Sequence, residues 1–142
     1  MNSLPAPSIK GFAVLVVEDE ILIALDAQAM LEEAGAQHVE VATKAVDALR
    51  LISKKPPHAA VLDINLGSGT SFSIADELAA RGIPYIFATG YAGQIDLPPQ
   101  HIDVTVVGKP YTAERLTAGL IAALERRGEP TAYLPPTFGK IR

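Results

Sequence analysis

The chain has 142 residues, a formal net charge of −4 and no cysteine. This length suits one domain with its own apolar core, and the lack of cysteine excludes disulfides, thiolate metal sites and thiol catalysis. Lysine and arginine form no stripe that could neutralise a row of phosphates, so we expect no nucleic-acid partner. No apolar run could cross a bilayer and no secretory signal precedes the first one, so we expect a cytoplasmic protein without membrane insertion.

The chain is predicted to hold one folded domain between two tails. Residues 1–10 contain two prolines and little to bury, and they are predicted to be a tail, with order beginning near Phe12. The domain is predicted to span residues 11–128, and the proline-rich residues 129–142 are predicted to form a flexible tail. Within the domain, short continuous apolar runs alternate with segments of helical spacing, which is typical of βαβ units around a parallel sheet.

Five short segments are the predicted strands, and the second, 38–42, has a weaker apolar pattern than the others. The first is apolar at every position, as expected of a strand that helices cover on both faces. Pro84 precedes the fourth, where a missing N–H is least harmful. In chain order the predicted strands are 13–17, 38–42, 59–63, 85–88 and 104–107.

Helices are predicted after the first three strands and after the fifth. Thr43 is the predicted N-cap of the second helix. The side chains predicted to pack on the sheet are, in chain order, Leu22, Leu25 and Ala29, then Val46, Leu49 and Ile52, then Ile74 and Leu78, and finally Leu116, Leu120, Ala123 and Leu124. Residues 91–101 contain Pro98 and Pro99 and almost no helical periodicity, so a helix between the fourth and fifth strands is predicted to be short, irregular or mobile.

Polar residues follow four of the predicted strands at the point where each apolar run stops. Because the carboxyl ends of parallel strands meet at one edge of a sheet, we expect these residues to lie close together. Each type alone has a structural role, as an acid at a helix start, a turn-forming aspartate, a capping threonine or a solvated lysine. Together at one edge they predict a site, formed by Glu18, Asp19, Asp63, Thr89, Gly90 and Lys109.

This set suits the transfer of a phosphoryl group to a carboxylate. Several carboxylates with a main-chain carbonyl make an all-oxygen site that fits Mg²⁺ better than Zn²⁺ or copper. A carboxylate can attack a phosphoryl donor and form an acyl phosphate, provided that a cation and hydrogen-bond donors surround the phosphoryl oxygens. Lys109 would supply the cation, while Thr89 and the N–H of Gly90 would supply donors.

The sequences VVEDE, VLDIN, FATG and GKP, in this order, resemble the receiver domains of response regulators over residues 12–127. The resemblance implies a flavodoxin-like, CheY-like α/β fold, doubly wound, with five parallel strands in the order 2-1-3-4-5 and helices on both faces. It implies that Asp63 is the phosphoacceptor. It also implies that Mg²⁺ is held by Asp19, Asp63 and the main-chain carbonyl of Asn65, with Glu18 assisting through water. Finally, Thr89 and Lys109 would bind the phosphoryl oxygens.

FATGY and KPY look more like one subgroup, the FATGUY receivers of alphaproteobacteria, which often stand alone. Their partners are histidine kinases of the HWE and related classes or histidine phosphotransfer proteins. The peptide before Pro110 is expected to be cis, and the loop after the phosphoacceptor lacks the proline common in the family. Val106 stands where the family usually carries an aromatic switch residue, so Tyr111 is expected to take some of that role and residues 91–101 to respond by ordering. By analogy, Asn65 and Tyr91 would tune hydrolysis.

Three functions are considered. The first is a signalling module that is not an enzyme on external substrates and whose output is protein binding, a phosphorelay step or a phosphate sink. The second is an aspartate-nucleophile phosphatase, which usually needs an acidic residue where this chain has Asn65. The third is an interaction module that works without phosphorylation. His38, His58 and His101 are isolated in the sequence and predicted to lie at the surface.

Overall fold

The computed structural model of the protein describes residues 8–67, 69–90 and 96–126. The strands are β1 (Ala13–Val17), β2 (His38–Ala42), β3 (Ala59–Asp63), β4 (Tyr85–Thr89) and β5 (Val106–Gly108). The helices are α1 (Ile21–Glu33), α2 (Ala45–Lys54), α3 (Phe72–Ala80) and α4 (Ala113–Arg126). One parallel sheet contains all five strands in the order β2-β1-β3-β4-β5, which confirms the predicted doubly wound fold. The predicted flexible tail 129–142 lies outside the described residues.

Helices cover both faces of the sheet, and each face has its own apolar core. On one face α1 and α4 bury side chains such as Leu31 and Leu120. On the other, α2 and α3 bury Ile52 and Leu78. Each such side chain stabilises the fold by roughly 1.5–3 kcal/mol relative to an exposed one. Among the helices in the described ranges, none is long and apolar enough to cross a membrane.

The folded domain begins earlier than the sequence predicted. Ile9, inside the predicted tail 1–10, is only 1% exposed and packs in the core beneath α1 and α4. The N–H of Gly11 donates to the carbonyl of Gly35, and the N–H of Phe12 donates to the carbonyl of Ile9. These contacts tie the start of the described chain to the end of α1, so order begins before Phe12.

The predicted inner face of α1 is wrong. Leu22 is 76% exposed and Leu25 45% exposed, whereas the buried residues of α1 are Ala24, Ala27 and Leu31. Both sets have the spacing of one helical face. Because α1 is apolar around most of its circumference, periodicity alone could not choose between them, and the face with two alanines lets the helix approach the sheet closely.

The second helix also differs from its prediction. Val46 is 59% exposed and Leu49 is exposed, while Ile52 is buried as predicted. Thr43 is not the N-cap, because α2 begins after Lys44, whose side chain makes no capping hydrogen bond. For α3 and α4 the predicted inner side chains are all buried.

Between β4 and β5, the described residues contain one 3₁₀ turn, Pro99–His101, in keeping with the predicted short or irregular helix. The strand β5 begins at Val106, two residues later than predicted. His101 is 0% exposed, so its predicted surface position is wrong. His58 is partly buried and accepts a hydrogen bond from the N–H of Ala13, whereas His38 is exposed as predicted.

Candidate functional site

The strand ends bring the predicted site residues to one edge of the sheet. Glu18 directly follows β1, Asp63 and Thr89 are the last residues of β3 and β4, and Lys109 directly follows β5. The register keeps these ends level, because Asp63 pairs with Ala88 of the neighbouring strand. In addition, the N–H of Lys109 donates to the carbonyl of Thr89 at 2.7 Å.

Three carboxylates meet at this edge and are called the acidic cluster: Glu18, Asp19 and Asp63. One ligand atom from each lies within 4.8 Å of the others. The ammonium of Lys109 lies 2.9 Å from Oε1 of Glu18 and 3.3 Å from Oδ1 of Asp63. Glu18 and Asp63 are buried, while Asp19 is exposed at the mouth of the site.

In the absence of a further cation, the electrostatics of the site make Asp63 harder to ionise than an ordinary aspartate. Burial raises the pKa of Asp63, the charge of Glu18 raises it further, and Lys109 opposes both, leaving a pKa of about 7. Burial alone would lower the pKa of Lys109. Its hydrogen bond to Glu18 and the charges of both carboxylates outweigh burial and raise that pKa above its ordinary value.

The donor set of the acidic cluster fits a hard divalent cation. Every donor atom is a carboxylate oxygen, and Lys109 pairs with two of the three carboxylates, which leaves negative charge that a divalent cation would balance. Such a cation would also favour the ionised form of Asp63. Asn65, the other predicted ligand residue, begins the next loop and forms an antiparallel bridge with Thr70.

Thr89 and Gly90, which are predicted to donate to phosphoryl oxygens, lie at the end of β4 and directly after it. Thr89 is buried at the end of β4. Gly90 is exposed, and a Cβ built on it would meet nothing within 4 Å, so its backbone is open to close approach. The Lys109–Pro110 peptide is cis, as the resemblance implied. Tyr91 lies outside the described residues.

Tyr111 is buried, and the charges that act on it include those of Glu18 and Asp63 in the acidic cluster. Burial raises the pKa of Tyr111 to about 12, and the charge of Glu18 contributes to the same shift. A phenol with this pKa stays protonated at neutral pH, so Tyr111 adds no charge to the site. Tyr111 lies two residues after Lys109, and its switch role stays a prediction.

Gly67 is a residue at the site that the sequence did not single out. It has a φ of +79°, which proline, with φ locked near −65°, cannot adopt. A proline therefore could not stand at this position of the loop. The only sequence signal was the glycine content of the loop, which predicts a turn but not its neighbour, the exposed Asp19.

Comparison with known proteins agrees with this geometry. The model of the response regulator receiver domain matches residues 14–120. PhyR, the phyllosphere-induced regulator of Methylorubrum extorquens, is 30% identical over 114 residues, which are 78% of this chain and 43% of PhyR. PdtaR, a transcriptional regulatory protein of Mycobacterium tuberculosis, is 29% identical over 123 residues, which are 84% of this chain and 60% of PdtaR.

The chain thus spans less than two thirds of both relatives. Among solved structures, SdrG from Sphingomonas melonis is 36% identical with a TM-score of 0.69, over 80% of this chain and 96% of SdrG. The matched residues include Asp63 and Lys109, all of β2 to β5 and all of β1 except Ala13, so nearly the whole sheet and its polar edge fall inside the family match. The chain therefore belongs to the family of response regulator receiver domains.

Proposed function

We propose that the protein accepts a phosphoryl group on Asp63 in a Mg²⁺-dependent reaction and signals through the phosphorylated form. The observation that carries this proposal is the meeting of the Lys109 ammonium with Asp63 inside a cluster of three carboxylates. Glu18, Asp19 and Asp63, with the main-chain carbonyl of Asn65, would hold the ion. When bound, Mg²⁺ would neutralise charge on the carboxylates and on the phosphoryl oxygens.

The chain's own residues have separate tasks in this reaction. An oxygen of Asp63 attacks the phosphorus of a phosphohistidine, and the phosphorus–nitrogen bond breaks as the new phosphorus–oxygen bond forms. The histidine nitrogen leaves with the bonding electrons. Lys109 moves from pairing with Asp63 to pairing with a phosphoryl oxygen, and Thr89 and the N–H of Gly90 donate to the remaining oxygens.

The partner we propose is a histidine kinase or a histidine phosphotransfer protein. The exposed apolar face of α1, formed by Ile21, Leu22 and Leu25, supports this. Because α1 starts three residues after Glu18, a helical partner seated on this face could reach Asp63 with a histidine. We also propose that the chain belongs to the FATGUY subgroup, whose partners are kinases of the HWE and related classes, and that its output is a protein contact.

Tyr111 is proposed to take part in the switch. It is buried and lies two residues after Lys109. Movement of the lysine towards a phosphoryl group would therefore change the surroundings of the tyrosine ring. A beryllofluoride mimic of the phosphoryl group should then shift the NMR signals of Tyr111 and leave those of His58, at the opposite end of the sheet, unchanged. Unshifted Tyr111 signals would contradict this role.

Phosphotransfer from a panel of purified histidine kinases tests the proposal. Wild-type protein should take up label from at least one kinase when Mg²⁺ is present and lose the label when EDTA is added first. Asp63→Asn should take up none, and Asp76→Asn, which changes an exposed carboxylate on α3, should behave as wild type. Labelling of Asp63→Asn at the wild-type rate would refute the proposal.

The hypothesis of an aspartate-nucleophile phosphatase predicts a different result. A phosphatase would turn over external substrates, and we propose that this chain does not, because Asn65 supplies no acid two residues after the nucleophile. Steady release of p-nitrophenol from p-nitrophenyl phosphate, lost in Asp63→Asn, would favour the phosphatase instead. Normal binding of a partner by Asp63→Ala would favour the phosphorylation-independent module.

A further inference from the structure

Gly67, in the loop after β3, lies close to the carboxylate of Asp19 in the acidic cluster. A Cβ built on Gly67 would lie 3.2 Å from Oδ2 of Asp19. The same test at Gly69, in the same loop, meets nothing within 4 Å. A side chain at Gly67 would therefore press on this carboxylate of the cluster, which would have to shift by a few tenths of an ångström.

Hydrogen bonds hold this loop in place. The N–H of Leu66 donates to the carbonyl of Gly69 at 2.8 Å, and the N–H of Ser71 donates to the carbonyl of Ile64 at 2.9 Å. Leu66 is buried, which anchors the loop to the core next to the strand that ends in Asp63. If a side chain were added at Gly67, the exposed side chain of Asp19 would have to move rather than the loop.

We propose that Gly67 is a positioning residue for the metal site: its missing side chain leaves Asp19 where its carboxylate can bind the ion together with Glu18 and Asp63. This inference rests on the proposed function. In the metal-free protein, an exposed carboxylate can rotate away from a methyl group at small cost. In the metal-bound protein the same carboxylate is fixed by coordination, so the cost of a methyl group falls mainly on the bound state.

Titration with Mg²⁺, followed by amide NMR shifts, tests the proposal in four proteins. In Gly67→Ala the dissociation constant should rise roughly tenfold, the low end of the range for residues that orient metal ligands. Gly69→Ala should bind as wild type. Gly82 has a φ of +72° but follows α3, at the end of the sheet away from the cluster, so Gly82→Ala should lose folding stability through the same backbone strain while keeping wild-type affinity.

The outcomes separate the two proposals. If wild type itself binds no Mg²⁺, the proposed function fails. If wild type binds and Gly67→Ala binds equally well, or if Gly82→Ala is weakened to the same extent, the positioning role is overturned. Should Gly67→Ala fail to fold, Gly67→Asn replaces it, because asparagine tolerates positive φ yet carries the same Cβ; wild-type affinity in that variant would also overturn the role.

Discussion

The acidic cluster and a second polar group, formed by Asp76, Tyr85 and His101 and called the histidine cluster, lie in the same small domain but satisfy their charges differently. In the acidic cluster the ammonium of Lys109 pairs with two of the three carboxylates, Glu18 and Asp63, so negative charge remains unbalanced. In the histidine cluster each nitrogen of the buried ring has a partner. One cluster is arranged to receive another charged group, and the other is complete.

The histidine cluster joins three parts of the chain. The hydroxyl of Tyr85 on β4 lies 2.5 Å from Nδ1 of His101, and Nε2 of His101 lies 2.8 Å from Oδ1 of Asp76 on α3. These contacts fit a ring whose proton is on Nε2, with Tyr85 donating to Nδ1. The rings of Phe72 and Phe87 pack around the histidine. His101 thus fills a space among aromatic side chains on this face of the sheet.

The difference shows how burial of polar groups can serve two ends. A buried group whose hydrogen bonds are complete rigidifies the fold and has little left with which to react. A buried carboxylate held beside a like charge has a shifted pKa and remains open to a cation or an electrophile, which is typical of functional sites. Changes in the two clusters should therefore separate function from stability.

The largest effect is expected from Lys109→Gln. This variant loses the cation that would stabilise the phosphoryl oxygens, so phosphotransfer should slow by on the order of 100-fold. Mg²⁺ affinity should rise, because the ammonium 3.3 Å from Asp63 no longer repels the ion. Kinase labelling and Mg²⁺ titration measure the two effects, with Lys54→Gln, exposed at the end of α2, as the control. A fall in both quantities would show that the site had lost its structure instead.

Changes in the histidine cluster should lower the stability of the fold and leave Mg²⁺ binding unchanged. His101→Ala removes a fully buried ring and leaves Tyr85 without its acceptor, so the free energy of unfolding should fall by about 3 kcal/mol. Urea denaturation measures this change. Gln100→Ala, at an exposed neighbour, should cost less than about 0.5 kcal/mol. Mg²⁺ affinity should be unchanged in both variants, and a matching loss of affinity in His101→Ala would mean that the two clusters are coupled.

Substitutions of Asp76 should have a smaller effect on the stability of the same cluster. Hydrogen bonds from His101 and Gln100 lower the pKa of Asp76, but its side chain is mostly exposed and water can replace it. Asp76→Ala should lower the free energy of unfolding by about 1 kcal/mol, and Asp76→Asn by less, because its amide oxygen can still accept from His101. Equal losses in urea denaturation would show that charge, not the hydrogen bond, matters here.

The acidic cluster could be predicted from the sequence because its residues directly follow apolar runs. Once five such runs are read as parallel strands, the ends that carry Glu18, Asp63 and Lys109 must converge. The inner face of α1 could not be predicted, since two sets of apolar residues share the same spacing and only packing decides between them. In the same way, the role of Gly67 depends on a distance to Asp19 that no local pattern encodes.

His101 was predicted wrongly for a related reason. It stands among prolines in a segment without periodicity, and its partner Asp76 is 25 residues earlier, so nothing local marks it as buried. Histidine is intermediate in its tendency to be buried, so the residue type alone does not predict a core position. Burial of His101 follows only from the aromatic side chains of β4 and α3, which leave a space at the sheet face that its ring fills.

The smallest expected effect concerns His58, which lies at the far end of the sheet from the acidic cluster. Its Nδ1 accepts from the N–H of Ala13 at 2.8 Å, a bond that protonation would break. Burial lowers the pKa of His58 below its ordinary value of 6.5. The unfolded chain therefore takes up a proton near pH 6.5 while the folded chain does not, so the stability that His58 contributes is complete above pH 6.5 and declines as the pH falls below it.

Urea denaturation of wild type and His58→Gln between pH 5 and 8, roughly one unit or more on each side of that ordinary pKa, isolates this contribution. The difference in unfolding free energy between the two proteins should be constant at the upper end and should shrink towards pH 5, because glutamine does not titrate. A difference that grew on acidification would mean that folded His58 prefers the protonated form. The ring would then have to donate to a partner instead of accepting from Ala13, and burial would not be what governs its charge.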